Sequence, residues 1–342
     1  MKTPNLLINS TFGECAYQAI QKHFKKSVKH ETEVLQDKDP EPLHQMRVGM
    51  RRLRSAVGVF TSALDLPKAA EIKRIGKIAG CLGNVRDLDV LGTALESRYR
   101  DNLHGKERKR FDAILKNLAK QRVQDFQQLE QMLSSPLYEK FKEAFTTWLE
   151  QPNYKAIGNL PIGEVLPDLM SPLISNMLLH PGWLVGASIQ DGKIIVAEDI
   201  TPEIVNTYLE LESDKLHELR KQMKRVRYQS EFFVDFYPPS YSDRVHNFKK
   251  IQEILGELQD RWVLREFLTF EIGGNLSASL PTIAQQLKDE CFILWQDWEL
   301  IRQHYFNPEM RQSLRREIMT PIVNFPDVNL PDKNTEQEGD RT

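Results

Sequence analysis

Apolar residues recur along this chain at three- and four-residue intervals, and strict alternation is nearly absent. That spacing lines one side of an α-helix and predicts an all-α fold. A first helix is expected from roughly Thr11 to Gln36. Asp39-Pro40-Glu41 then combines a capping acid, a proline at the first helical position and an acid in the first turn, which opens a helix carrying 43–65 and stopping before Pro67. Further helices are expected over about 68–98, from 106 to the stop at Ser134-Ser135-Pro136, and from there to Pro152. Thr201-Pro202-Glu203 opens a long helix with no breaker before Pro238-Pro239, followed by helices near 242–270, 280–303 and 308–319.

Between the two helical stretches, 151–201 is dense in proline and glycine and reads as a connecting segment. Asp191-Gly192 within it predicts a small hairpin over 187–197. The uncharged run Leu169–Gln190 is broken by Pro172, Pro181, Gly182 and Gly186, so it reads as buried or looped chain and not as a membrane span. The organisation expected is a first helical unit over 10–150, the connector 151–201, a second unit over 202–320, and an acidic disordered tail over 327–342.

Two blocks recur at one offset. LHQMRVGMRRLRSAVGVF at 43–60 resembles LHELRKQMKRVRYQSEFF at 216–233, and LGNVRD at 82–87 resembles LGELQD at 255–260, each pair 173 residues apart. A shared offset in separate blocks predicts a duplicated unit. On a helix at about 100° per residue, with His44 at zero, Arg47, Arg51 and Arg54 fall at about −60°, −20° and −80°, opposite Met46, Met50, Leu53, Val57 and Phe60. His217, Arg220, Lys224 and Arg227 take the same places in the second block, with Tyr228 within the stripe. Arg52 points away at about 80°, and Lys221 lies at the stripe's edge. The helices that follow add Lys73, Lys77 and Arg86 to the first block and Lys249 and Lys250 to the second, Lys77 mapping onto Lys250. Asp87 and Asp260, closing the blocks, are expected to orient neighbouring arginines or cap a helix.

Like charges at i, i+3 and i+7 repel by a few tenths of a kcal/mol per pair, and solvated helix faces ordinarily mix signs. Two matched, histidine-led basic stripes therefore point to an extended polyanion. The 46 Lys+Arg against 48 Asp+Glu leave a net charge of −2, so the basic character is local. Cys15, Cys81 and Cys291 form no CxxC pair and no disulfide framework, which fits a reducing cytoplasm. The opening MKTPNLLINSTFGE has no apolar core of a secretory leader. No Gly-rich phosphate loop or GxxxxGK[ST] is present, and carboxylates do not cluster, so no enzyme is expected. The alternatives are a histidine phosphotransfer or phosphate-processing enzyme using His44, a nucleic-acid binder, for which the stripes carry too few aromatics to stack bases, and a structural helical scaffold. His23 and His30, on a helix with Lys22, Lys25, Lys26 and Lys29, are expected to face solvent and are able to extend the basic surface.

The paired LHxxRxxxRRxR-type blocks at 43–54 and 216–227, with LGxxRDLD at 82–89 and LGELQD at 255–260, resemble the CHAD family, the conserved-histidine α-helical domain. The resemblance covers roughly 10–320 and implies two pseudo-symmetric, four-helix-bundle-like halves. It also implies binding of inorganic polyphosphate in a basic groove or pore between them, association with polyphosphate granules and no cofactor. The family's histidine and basic positions fall on His44, Arg47, Arg51, Arg54 and Lys77, and on His217, Arg220, Lys224, Arg227 and Lys250. The ExExK strand motif of the CYTH domain that often precedes CHAD domains is missing from this sequence. An anion in the groove is expected to hold His44 and His217 charged and to bind more tightly as pH falls from about 7.5 to 6.

Overall fold

A computed structural model describes residues 10–197 and 199–322. The tail expected over 327–342 lies outside the described residues. The fold is all-α, with one two-stranded hairpin. Helix α1 (Phe12–Val28) opens on a reciprocal cap, Glu14 N donating to Thr11 Oγ1 at 3.2 Å and Thr11 N to Glu14 Oε2 at 2.8 Å. The single helix expected to Gln36 is broken at Lys29-His30, and a short α2 (Glu31–Gln36) follows. Helix α3 (Pro40–Val59) starts where expected, with Asp39 Oδ1 accepting from Glu41 N at 2.9 Å. It ends six residues earlier than its apolar pattern suggests, and Phe60, Ala63 and Leu64 are buried beyond its last turn. Then come α4 (Ile72–Arg98), α5 (Gly105–Leu133) and α6 (Pro136–Glu150).

The connector holds more structure than its prolines suggest. Ile162–Leu178 forms helix α7 with Pro167 and Pro172 inside it. Each internal proline costs about 3 kcal/mol. Burial of Ile162, Leu166, Met170, Ile174 and Met177, each at zero exposure, offsets that at roughly 1.5–3 kcal/mol per side chain. Strands β1 (Ala187–Gln190) and β2 (Lys193–Val196) form the expected hairpin, and Asp191 and Gly192 both take positive φ, 50° and 73°.

Helix α8 (Pro202–Phe233) is kinked at Glu212, whose φ of −136° is not helical. The chain continues through α9 (Ser240–Ile272), α10 (Leu276–Ser279), α11 (Pro281–Phe306) and α12 (Pro308–Met319). Helix α3 packs on α1, α4 and α8, while α8 packs on α7, α9 and α11, so the two basic helices adjoin. One core runs along them, from Met46, Met50 and Leu53 to Leu219, Met223 and Val226. A second cluster joins the far ends of α4 and α5 to α9 and α11 through Leu95, Tyr99, Phe111, Leu264, Leu268 and Ile283. Trp295 and Trp298 are fully buried, Trp183 stacking on Trp298 at 5.2 Å. Among the described residues, no helix is long and apolar enough to cross a membrane.

Candidate polyanion-binding site

Helices α3 and α4 cross along a line of small residues, and the guanidinium groups of the stripe lie across them. A Cβ on Gly83 would sit 3.7 Å from Arg47 Nε, and one on Gly76 would sit 3.7 Å from Arg54 Cζ. The pair α8 and α9 repeats the crossing: a Cβ on Gly256 would sit 3.3 Å from Arg220 Nε, and Arg227 Nη1 donates to Gln252 Oε1 at 3.0 Å. Only at Gly256 is the approach closer than an ordinary side-chain contact; at Gly83 and Gly76 a Cβ would meet the guanidinium at normal contact distance. Arg47 Nη2 also donates to Asp87 Oδ1 at 2.9 Å, so the acid closing the first block does orient an arginine. Asp89 of the same block binds Arg122 of α5 at 2.9 Å and serves as a tether.

Between the crossings the two stripes meet. The buried ring of Tyr228 on α8, 4% exposed, lies beneath the guanidinium carbons of Arg51 at 5.1 Å, Arg52 at 4.2 Å and Arg227 at 5.4 Å. Glu231, one turn on, pairs with both Arg52 and Arg227, the latter at 2.7 Å. Arg52, expected to point away from the stripe, is thus a strut between α3 and α8, because α8 packs against that side of α3. Tyr228 is a floor for arginines and offers no exposed face.

The remaining cations face few acids: Asp87 opposes Lys224, and Asp260, raised by burial against the pull of Arg220, lies beside Arg220. Lys224 is half-buried, with Arg51, Arg220 and Arg47 as its strongest charged neighbours and Asp87 as the opposing one. Burial, then those three guanidinium groups, push its amine down to about 8. Burial also lowers Arg51, reinforced by Arg47, Arg52 and Arg227 against the ring of Tyr228. Among the described residues, Arg51 Nε, Arg220 Nε and His217 Nδ1 are buried without a hydrogen-bond partner. Each such donor or acceptor costs roughly 1–3 kcal/mol unless a ligand completes it. His44 is lowered by burial and then by Arg86, Arg51 and Arg47, with Glu41 opposing. His217 is lowered by burial and then by Lys221 and Arg220, with Glu218 and a bond to Gln259 opposing.

The structure therefore sorts the basic positions into two groups. His44, Arg47, Arg51, Arg52, Arg86, His217, Arg220, Lys224 and Arg227 are half-buried. Arg54, Lys73, Lys77, Lys221, Lys249 and Lys250 are exposed. Lys221 and Lys249 are held by neighbours on their own helices, Glu218 at 2.7 Å and Glu253 at 3.6 Å. Lys73 lines a separate cavity of about 340 Å³ beside Val57, Thr61 and Lys155. Glu231 escaped the sequence reading, although its i+4 spacing from Arg227 was the available signal. Among the described residues no group of three or more His, Cys, Asp and Glu side chains is placed to hold a metal ion.

His23 differs from expectation. Its ring meets Phe232 edge-on at 5.7 Å and its Nδ1 is buried without a partner among the described residues, because α1 turns this side towards α8. Burial, then Arg52, Lys22 and Lys26, hold it down to about 4. The unfolded chain, with an ordinary imidazole near 6.5, binds more protons between those values, so stability contributed here falls as pH drops from about 6.5 to 4. The substitution His23→Phe is expected to flatten the loss of urea midpoint across that window relative to wild type. Parallel slopes in the two proteins would place His23 in ordinary solvent.

Helices that gather half-buried guanidinium groups at the junction of two helix pairs define an all-α domain. The chain belongs to the CHAD family: its sequence matches the CHAD domain over residues 18–269. The crystal structure of the CHAD domain from the plant Ricinus communis has a similar fold, with a TM-score of 0.57 at 22% identity, covering 92% of this chain and 94% of that one. PptA from Streptomyces chartreusis is also similar, with a TM-score of 0.58 at 13% identity, covering 86% of this chain and all of that one. At these identities the likeness is one of fold. No curated protein matches the sequence.

Proposed function

We propose that this chain binds inorganic polyphosphate, non-catalytically, along a basic trough whose walls are the α3/α4 and α8/α9 pairs. The observation that carries the reading is the meeting of Arg47 and Arg51 with Arg220 and Lys224 around one locus, two of their buried Nε–H groups lacking an acceptor. Matched glycine crossings at Gly83 and Gly256 support two equivalent walls from a duplicated unit. Polyphosphate presents neither base nor sugar, so a protein is able to match only its charge and spacing. Arginine forks grip adjacent phosphoryl oxygens, and lysine supplies a mobile point charge. The half-buried group forms the inner contact set, and Arg54, Lys77 and Lys250 extend the cationic path outward. Burial of Tyr228 weighs against nucleic acid, since it removes the stripe's only stacking surface.

The test is titration of long-chain polyphosphate into the full chain at roughly 50 and 200 mM salt, with competition by single-stranded DNA and RNA at equal phosphate. With six or more phosphates neutralised, affinity is expected to fall by at least about 100-fold across that range. DNA and RNA are expected to compete poorly. A salt-insensitive affinity, or equal competition by RNA, would overturn the reading.

A further inference from the structure

Lys224 differs in kind from the cations around it. An arginine keeps its proton at any physiological pH, whereas a lysine amine crowded by cations and burial becomes a nucleophile. It stands one turn before Tyr228 and one turn after Arg220 on α8, on the same helix face as the Tyr228 ring that carries Arg51 of α3. Among the described residues no hydrogen bond or ion pair holds its ammonium, in contrast to Lys142, Lys215, Lys221 and Lys288, each engaged by a glutamate. A donor that brings its own anionic leaving group is the reagent this surrounding suits.

We propose that Lys224 is a modification site for acyl phosphates: Arg51, Arg220 and Arg47 hold the donor's phosphate while the neighbouring ε-amine takes its acyl group. The inference rests on the reading of this cluster as a phosphate-binding site. The free amine attacks the carbonyl carbon and an N–C bond forms. The tetrahedral adduct collapses by cleaving the C–O bond to phosphorus, and inorganic phosphate departs with the bonding pair. The extra proton on nitrogen passes to that phosphate or to water. No oxidant, metal or second enzyme enters the balance. The guanidinium groups stabilise charge where it develops, on the departing phosphate. The depressed amine supports the step: at pH 8 about half of Lys224 is free base, against well under 1% of an ordinary lysine. Acylation leaves a neutral amide, removes one charge from the middle of the trough and weakens its grip on a polyanion. Thioesters such as acetyl-CoA carry their phosphates far from the reacting carbon, so arginines that hold a phosphate do not place that acyl group on the amine.

The full chain is incubated with acetyl phosphate at pH 8, and acetyl occupancy is followed by peptide mass spectrometry at Lys224 and at the exposed Lys25 and Lys140. Lys224 is expected to react about tenfold faster than either reference lysine. Arg51→Gln is expected to slow Lys224 several-fold and leave the reference sites unchanged, and acetyl-CoA is expected to show no such preference. Reaction at Lys224 no faster than at Lys25 and Lys140 overturns the proposal, and that wild-type ratio stands even if the variant fails to fold. An equal preference with acetyl-CoA overturns it too. Long-chain polyphosphate is expected to protect Lys224. Fast acetylation that polyphosphate leaves untouched upholds the modification site and removes polyphosphate from the cluster, so the two readings fail separately.

Discussion

Changing Arg47, Arg51, Arg220 and Lys224 together to alanine is expected to weaken long-chain polyphosphate binding by roughly a thousandfold, at about 1 kcal/mol net per charge-assisted contact after desolvation. These four side chains converge from both helix pairs, and they lie deeper than the exposed lysines at 73, 77, 249 and 250. Half-buried charges lose less to screening by salt, so each is worth more than a surface pair. The stability of the free protein moves the other way. Lys224 is held at about 8 in the folded chain, below an ordinary lysine, so below that pH the folded state carries a proton it resists. The unfolded chain gives this proton up only near 10.4, hence stability from this group rises with pH between about 8 and 10.4 and is at its lowest below 8. Lys224→Met removes the strain at neutral pH and is expected to add roughly 1–2 kcal/mol, discounted for the side chain's partial exposure. Calorimetric titration reads the affinity and a thermal melt reads the stability. A quadruple variant that stays folded and binds within tenfold of wild type would remove the trough. A less stable Lys224→Met protein would mean that the lysine is satisfied where it stands.

How much of this arrangement is legible beforehand depends on whether its cause is local. The helix starts at Asp39-Pro40 and Thr201-Pro202 and the Asp191-Gly192 turn are set by caps and by φ preferences within four residues, and they stand where the pattern puts them. The basic stripes follow from 3.6-residue periodicity and are equally local. Helix α7 defeats the same reasoning, because the burial that offsets Pro167 and Pro172 comes from helices remote in sequence. His23 fails for a similar reason: lysines on its own helix predict solvent, and the Phe232 ring that covers it lies on α8. At the site, periodicity places Arg51 and Lys224 on their helices' polar faces and is silent on which way those faces look. That Arg52 and Arg227 share Glu231, and that Tyr228 lies under three guanidinium groups, follows only once α3 packs on α8. The shared glycines at 83 and 256 are visible in the LG pairs at 82–83 and 255–256. That Arg47 and Arg220 lie over them is a property of helix crossing.

The pH dependence of polyphosphate affinity is expected to have two limbs, and the alkaline one is the larger. In the free protein Lys224 loses its proton near 8. A polyanion laid against it compensates Arg51, Arg220 and Arg47, the groups that depress it, and returns it towards an ordinary value near 10.4. The bound state then holds nearly one more proton than the free state midway between the two, and each pH unit in that interval costs roughly five- to sevenfold in affinity. Arginines do not titrate there. Affinity should therefore change little between pH 7 and 7.5 and fall by roughly 40-fold from about 8 to 10. On the acid side His44 and His217, both lowered by burial and by the cations around them, take up protons on binding and tighten the complex as pH falls below about 7. Lys224→Arg keeps the charge and removes the titration, so it should flatten the alkaline limb and leave the acid limb in place. Titration calorimetry in buffers of different ionisation enthalpy counts the protons directly. Uptake near one proton per complex at pH 9 in wild type, absent in Lys224→Arg, is the expected result. Equal uptake in both proteins would move the titrating group away from Lys224.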